Sequence, residues 1–350
     1  MGRPKKNQEE VIEKVIVDDE ISLTEREIEA LYGEGIFIDG DAILSKPKQI
    51  IPLSPCLDIG LSGGIPEGSW VVFTGPEKCG KTTSALHFAA NAQQEKYGGR
   101  KIFYLDIEGR LKKMNLTGIP GLKLSKPHFN RIGSVKGKIL NAQDYLSIGE
   151  KIIHNEPGSV LIIDSFSALC TDTELTSELT DQQRADSQKL QAKFIRRTAN
   201  VVPVNDIIVI GITHIMSNPS GYGAGKVEKT ANAVKYQGDV KLHAKEIEAW
   251  MDADKQIGQI VNWQVVFSAL GPPGAKIKSY IRYGQGIDVY AELVQVCSEI
   301  GLIKKGGSWY TFENDGVEVK KQGLEQMQQH LRDNPVLFDK LYEQLKEMLS

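Results

Sequence analysis

Between residues 51 and 287, apolar runs of strand length alternate with helical patterns. The runs "SWVVFTG", "KIFYLDIE", "SVLIIDSFSAL" and "DIIVIGITH" are apolar at nearly every position, as strands are when both faces of their sheet are covered. Helical segments separate them, which predicts a mostly parallel sheet flanked by helices, an α/β core. Three later runs, "DVKLHA", "QIVNWQVVFSA" and "IKSYIRYG", follow one another too closely for crossover helices and predict antiparallel strands.

The flanks have a different texture. Residues 1–23 are rich in charge and read as a flexible tail, with "GRPKK" either solvated or touching nucleic acid. Residues 24–50 form an arm. In "SLTEREIEALYGEG", Thr24 and Glu27 have the spacing of a capping box and Gly33 that of a stop, and "GIFIDGD" reads as a short strand. A helix and one strand cannot cover their own apolar faces, so this arm is expected to dock on the core or on a neighbouring subunit. From residue 288 to 350 the pattern predicts a small α+β domain: an amphipathic helix in "VYAELVQVCSEIGLI", a hairpin at "GGSWYTFE" and two helices around "LEQMQQHLRDNP" and "LFDKLYEQLKEML".

Composition narrows the class without naming a function. Among 350 residues, 41% are hydrophobic and 25% charged, with a net charge of −3. These are ordinary values for a globular protein. The charge does not advertise nucleic acid, nor exclude it, since steering depends on local patches. Cys56, Cys79, Cys170 and Cys297 lie far apart without metal-ligand spacing, as expected in a reducing cytosol. No apolar run has membrane-spanning length, and "MGRPKKNQEE" lacks the apolar centre of a signal peptide. The expectation is a cytoplasmic protein with no membrane partner.

The strongest chemical signal is "GPEKCGKTT", spanning Gly75, Pro76, Glu77, Lys78, Cys79, Gly80, Lys81, Thr82 and Thr83 between an apolar strand and a helical segment. This is P-loop spacing in the right context. Glycines let backbone N–H groups wrap phosphate oxygens, Lys81 reaches the outer phosphates, and Thr82 ligates Mg²⁺. The expected cofactors are therefore ATP and Mg²⁺. Asp164, at the end of "SVLIIDS", is the expected second metal partner, a Walker-B carboxylate. Asp106 and Glu108 in "YLDIEG", and His214 at the end of "DIIVIGITH", also fall at carboxyl ends of strands, where ligands of parallel sheets sit. Glu108 is the candidate for orienting or deprotonating the attacking water; an ordinary surface carboxylate is the plainer reading. His214 has the corresponding choice between a γ-phosphate contact and a simple hydrogen bonder.

Lys189, Lys193, Arg196 and Arg197 share the helical segment "SQKLQAKFIRRT". By composition this is a solvated face. Its neighbours suggest more: the polar stretch "TDTELTSELTDQQRAD" precedes it, and a glycine-rich stretch carrying Lys226 and Lys229 follows the next strand. Two loops at sheet ends, one joined to a basic helix, make a plausible groove for single-stranded nucleic acid.

In their order, these motifs resemble the RecA-type recombinases, including the phage UvsX-like members. The resemblance runs from about residue 24 to 350. It rests on "LSPCLDIGLSGGIPEGSWVVFTGPEKCGKTT", "FYLDIEG", "VLIIDSFSAL", "TANAVKYQGDVKL", "YIRYGQGIDVYAELVQVCSEIGLIKKGGSWYTF" and "LRDNP", with "YGEGIFIDGD" similar to the family's oligomerisation arm. It implies a RecA-type P-loop NTPase core that forms a filament on single-stranded DNA, pairs it with homologous duplex DNA and exchanges strands. Single-strand-binding and mediator proteins would be its partners.

Position by position, the resemblance makes Glu108 the water activator and His214 the γ-phosphate sensor. Lys189, Arg196 and Asn232 would contact DNA, Tyr236 would lie at the subunit interface and Tyr283 near the base. The DNA loops would span roughly Thr173–Asp186 and Ser217–Thr230. Some positions depart from the family. Bacterial members carry glutamine where His214 stands, a phage-like difference. Lys78 and Cys79 replace small serines, which exposes the loop to thiol reagents. Asn115 stands in place of the tyrosine that stacks on adenine. Phe267 and Ala269 replace two lysines that reach the neighbour's γ-phosphate, leaving Lys276, Lys278 or bound metal ions to substitute. The alternatives are a hexameric motor on the same fold and a DNA-coating mediator with a weak ATPase.

Overall fold

The computed structural model describes residues 23–45, 47–178, 186–217, 226–228 and 230–348. Contacts divide the chain into one unit ending at Lys48 and a second from Gln49 onward. The charged tail lies outside the described residues.

In the first unit, helix α1 (Leu23–Tyr32) includes Thr24 in its first turn, so Thr24 does not stand ahead of the helix as the capping pattern suggested. Gly33 ends it with φ +107° and an N–H bond of 2.8 Å to Glu29 O. The strand expected at "GIFIDGD" does not form. Ile36, Phe37 and Ile38 are exposed, and the chain turns into helix α2 (Gly40–Ser45). Among the described residues of this unit no second strand offers partners for its backbone, and the Asp39 side chain instead accepts from Asp41 N at 3.1 Å, an interaction that starts a helix.

The second unit is built on a ten-stranded sheet. Its strands are β1 (Trp70–Gly75), β2 (Ile102–Asp106), β3 (Phe129–Ile132), β4 (Val160–Asp164), β5 (Ile208–Ser217), β6 (Lys226–Glu228), β7 (Val240–Asp252), β8 (Lys255–Phe267), β9 (Lys276–Arg282) and β10 (Gly286–Ile287). The order is β10-β9-β8-β7-β1-β5-β4-β2-β3, with β6 paired to β5. From β7 to β3 the neighbours run parallel; β7, β8, β9 and β10 pair antiparallel. Every residue of β1 and β4 is buried, which is why these strands read as unbroken apolar runs. Helices α3 (Pro55–Leu61), α4 (Lys81–Ala92), α5 (Ala142–Asn155), α6 (Asp186–Thr198) and α7 (Asn232–Gln237) connect and cover them, enclosing two hydrophobic clusters, one containing Phe73, Phe88 and Trp263, the other Phe166, Phe194 and Trp70.

Three strands exceed their sequence-based limits, β5 by running past His214 to Ser217. "DVKLHA" from Val240 onward and "QIVNWQVVFSA" as far as Phe267 belong to the 13-residue strands β7 and β8, which turn at Ala253 with φ +48°. The added segment "KEIEAWMD" is mostly exposed. Hairpin pairing holds it, since burial does not.

The C-terminal segment adds α8 (Val289–Glu299), the antiparallel meander β11 (Lys304–Gly306), β12 (Trp309–Asn314) and β13 (Val317–Gln322), then α9 (Leu324–Asp333) and α10 (Pro335–Glu347). Their apolar cluster takes in Cys56 of α3. Two buried carboxylates cross that seam. Glu292 accepts from Cys56 N, Ser279 Oγ and Tyr280 N at 3.0, 2.6 and 3.1 Å. Asp58 accepts from Leu53 N at 2.7 Å and from the Tyr342 hydroxyl.

Burial raises the Asp58 carboxyl from 3.8 to about 7. Because the folded state keeps this proton longer than the unfolded chain, Asp58 lowers stability progressively as pH rises from 3.8 to about 7. Asp58→Asn should therefore raise Tm above pH 7 and lose the advantage near pH 3.8, which thermal melts across that range would check. Among the described residues no helix is long and apolar enough to cross a membrane.

Candidate nucleotide and DNA site

Four adjacent parallel strands deliver the site. Register places Gly75 of β1 beside His214 of β5, and Asp164 of β4 beside Asp106 of β2. The carboxyl ends of these strands open into a cavity of about 720 Å³ lined by the loop from Glu77 to Thr83 with Asp106, Glu108, Asp164 and His214.

The loop leaves β1 at Gly75 with φ +153° and enters α4 after Gly80 with φ +83°. A larger residue at either position would be strained by the positive φ. A Cβ on Gly75 would lie 2.9 Å from both the Cβ and the carbonyl oxygen of Ala244, and one on Gly80 would lie 2.2 Å from Ile281 Cδ1. Gln259 Nε2 donates to Lys78 O at 3.2 Å, tying β8 to the loop. The Lys81 ammonium is almost fully buried and donates to the carbonyls of Gly75 and Pro76 at 3.0 and 2.5 Å. It also lies 3.5 Å from Cys79 Sγ. Cys79 itself has no exposed surface, and burial raises its thiol pKa. The expected vulnerability to thiol reagents is thus countered by packing: reagent cannot reach the sulfur, and little of it is thiolate.

Thr82 Oγ1 donates to Asp164 Oδ2 at 2.8 Å, and the Tyr104 hydroxyl donates to the same oxygen. Burial pushes the Asp164 carboxyl up, against the pull of these two donors. A hydroxyl and a carboxylate in this relation fit Mg²⁺, which takes one or two protein oxygens and fills its remaining positions with phosphate and water. The absence of a cluster of three or more His, Cys, Asp or Glu ligands among the described residues is compatible with that kind of site.

Glu108 and His214 converge. Glu108 Oε1 lies 2.8 Å from His214 Nε2 and accepts from Ser165 Oγ at 2.8 Å, while Arg110 stands 3.5 Å from the other oxygen. Hydrogen bonding to His214 above all, with Ser165 and Arg110, pulls the Glu108 carboxyl down to about 2. A carboxylate so stabilised orients water well and takes a proton poorly. His214 Nδ1 is buried without a hydrogen-bond partner among the described residues. Asp106, by contrast, is committed to Arg131, at 2.6 and 2.8 Å, and caps Arg110 N at 3.1 Å.

Tyr283 lines the cavity, half-exposed, with its hydroxyl accepting from Gln256 Nε2 at 2.9 Å. Asn115 lines it too, together with Met114 and Arg282. Arg282 stacks over Trp250 at 4.6 Å and pairs with Asp288 at 2.9 Å.

On α6, Lys189, Lys193, Arg196 and Arg197 are exposed. Lys189 pairs with Asp186 at 3.1 Å, and Arg197 pairs with Glu150 of α5 at 2.6 Å. Asn232 is exposed at the start of α7 and accepts from Lys235 at 3.2 Å. Tyr236 on that helix is 81% exposed. Lys229, the Lys226 side chain, and residues 179–185 and 218–225 of the two expected DNA loops lie outside the described residues. Phe267 packs against Gly238, where a Cβ would lie 3.1 Å from its ring. Lys278 sits 3.3 Å from Glu248.

Sequence reading missed several residues that build this site. Tyr104 stands in the "YLDIEG" run without a role of its own, although its place two positions before Asp106 puts it on the same face of β2. Glu228 accepts from Thr213 Oγ1 at 2.7 Å and from the buried Lys241 Nζ at 2.9 Å, anchoring the end of the second loop beside His214. That contact joins residues of β5, β6 and β7, and no local pattern signals it.

Two family models match the chain: the RecA N-terminal domain over residues 19–288 and the RecA C-terminal domain over residues 291–350. Among similar curated proteins, Protein RecA of Chloroherpeton thalassium is 28% identical over all of this chain and 95% of its own length. Protein RecA of Chlorobium chlorochromatii is 29% identical over 95% of this chain and 91% of its own. Protein RecA of Streptomyces coelicolor is 29% identical over 93% of this chain and 84% of its own.

Proposed function

This chain belongs to the RecA family, and from that premise we propose that it is an ATP-dependent recombinase that assembles on single-stranded DNA, pairs it with homologous duplex and exchanges strands. One observation carries the reading to these residues: adjacent strand ends bring together the P-loop, the Thr82–Asp164 pair and the Ser165–Glu108–His214 cluster.

That geometry supports the following roles. Lys81 and the N–H groups of the loop would hold the phosphates, Thr82 and Asp164 would hold Mg²⁺, and Tyr283 would flank the base. When bound, the metal supplies positive charge where the phosphates gain negative charge. Glu108 positions the attacking water. While His214 is bonded to it, Glu108 is a weak base; withdrawal of His214 towards a phosphate oxygen would return its carboxyl towards the ordinary range and sharpen water activation. His214 thus serves as sensor and as restraint.

Lys189, Arg196, Arg197, Lys226, Lys229 and Asn232 are proposed to contact the DNA backbone, where their binding will weaken with salt. Tyr236 and the arm at residues 24–50 are proposed to face neighbouring subunits in a filament, with Lys276 or Lys278 supplying inter-subunit cations. Division of the remainder into a core at 51–287 and a C-terminal domain at 288–350 belongs to the same reading. The histidine at 214 supports placement with the phage UvsX-like members, with single-strand-binding and mediator proteins as partners.

A D-loop assay with ATP and Mg²⁺ tests this function. Homologous duplex should be captured by the protein on single-stranded DNA and heterologous duplex should not. Unwinding without regard to homology would favour the ring-shaped motor. DNA coating without pairing would favour the mediator.

A further inference from the structure

Gln191 lies on the inner side of α6, 2% exposed, in no motif. Its amide makes four hydrogen bonds. Nε2 donates to Phe166 O at 3.1 Å and to Ser187 Oγ at 3.3 Å, while Oε1 accepts from Thr230 Oγ1 at 2.9 Å and Ala231 N at 3.0 Å. Ser187 in turn donates to Leu169 O at 3.0 Å. A primary amide has two N–H donors and an oxygen with two lone pairs, and here all are used. A carboxylate could not donate, and an apolar side chain would leave buried groups unpaired.

The partners are what give this contact meaning. Phe166 lies two residues beyond Asp164, at the exit of the strand assigned to the metal. Ser187 opens the basic helix after the first proposed DNA loop. Thr230 and Ala231 end the second. We propose that Gln191 is a positioning residue that clamps the bases of both DNA-binding segments to the exit of the Asp164 strand, so that nucleotide state and DNA affinity depend on each other through its amide. This rests on the proposed function: without ATP-dependent DNA binding there is nothing for the clamp to couple.

The clamp is tested by measuring affinity for a fluorescent oligo-dT with and without a non-hydrolysable ATP analogue, beside basal ATP hydrolysis and Tm. Gln191→Met keeps the approximate volume and removes all four bonds. It should retain basal hydrolysis within about twofold yet reduce the analogue-dependent gain in DNA affinity by about fivefold or more, the lower end of coupling between distinct sites. Thr230→Val should reduce the same gain, and the double variant should lose less than the product of the two single losses, as expected for residues in one network.

An unchanged gain in Gln191→Met, or losses that simply multiply in the double variant, would overturn the clamp. So would a fall in basal hydrolysis and Tm with the gain intact, which marks a purely structural role. If Gln191→Met does not fold, Thr230→Val, which removes one bond, decides by whether it reduces the gain. A wild-type protein with no analogue-dependent gain would instead remove the proposed function itself.

Discussion

Lys81→Ala should reduce ATP hydrolysis by about 10²–10³-fold, the usual consequence of removing one preorganised charge from a developing-charge site. The ammonium is held inside the loop by the carbonyls of Gly75 and Pro76, so it is already aimed where the outer phosphates belong and needs little reorganisation on binding. Its loss leaves the buried Gly75 carbonyl and the half-buried Pro76 carbonyl short of a donor, at about 1–3 kcal/mol. A modest fall in Tm is therefore expected beside the much larger loss of activity. Steady-state hydrolysis with and without single-stranded DNA, read beside a D-loop assay, measures both. A variant retaining full ATP-dependent strand exchange would refute the assignment of this loop as the engine of the protein.

Glu108→Gln should slow hydrolysis by about 10²–10⁴-fold, the range for a positioned acid–base group, with opposite consequences for DNA. The amide preserves shape and can still accept from Ser165, while the charge that orients water is gone. Because the triphosphate state is no longer discharged, single-stranded DNA should leave more slowly than from wild type, whereas Lys81→Ala should fail to hold it. Stopped-flow dissociation of labelled oligo-dT distinguishes the two. Faster release from Glu108→Gln would contradict the role.

The same substitution has a pH signature. The folded protein holds this carboxyl at about 2 against an ordinary 4.5, so its ionised form stabilises the fold above 4.5 and that contribution fades as pH falls towards 2. The stability gap between wild type and Glu108→Gln should close over that interval.

The residues legible in the sequence share one property: their chemistry is encoded by neighbours along the chain. The loop from Gly75 to Thr83 is legible because a strand, a turn and a helix N-terminus must follow one another to cradle phosphate. Asp164 and Glu108 are legible because they sit at or just beyond the carboxyl end of an apolar strand, and His214 because the apolar run stops there, although β5 itself continues to Ser217. Where reading failed, a partner remote in sequence decided. "GIFIDGD" has the apolar run of a short strand, but no companion strand forms beside it among the described residues and its last two residues open helix α2. "KEIEAWMD" is mostly exposed and is nonetheless β, because β8 returns alongside it. Cys79 reads as an accessible thiol, yet it is fully buried, with Lys81 Nζ 3.5 Å from its sulfur.

By itself, then, the sequence determined the α/β class, the antiparallel extension, the nucleotide loop and the strand-end acids, since periodicity and P-loop spacing are local properties of the backbone. Only the tertiary structure decided that Glu108 is bonded to His214, that Tyr104 shares Asp164 with Thr82, and that Gln191 joins three segments separated by up to 65 positions between Phe166 and Ala231. Hydrogen bonds of this kind depend on which strands lie side by side and on how far each side chain is removed from water. Strand order and burial belong to the assembled sheet, and no stretch of the chain carries them alone.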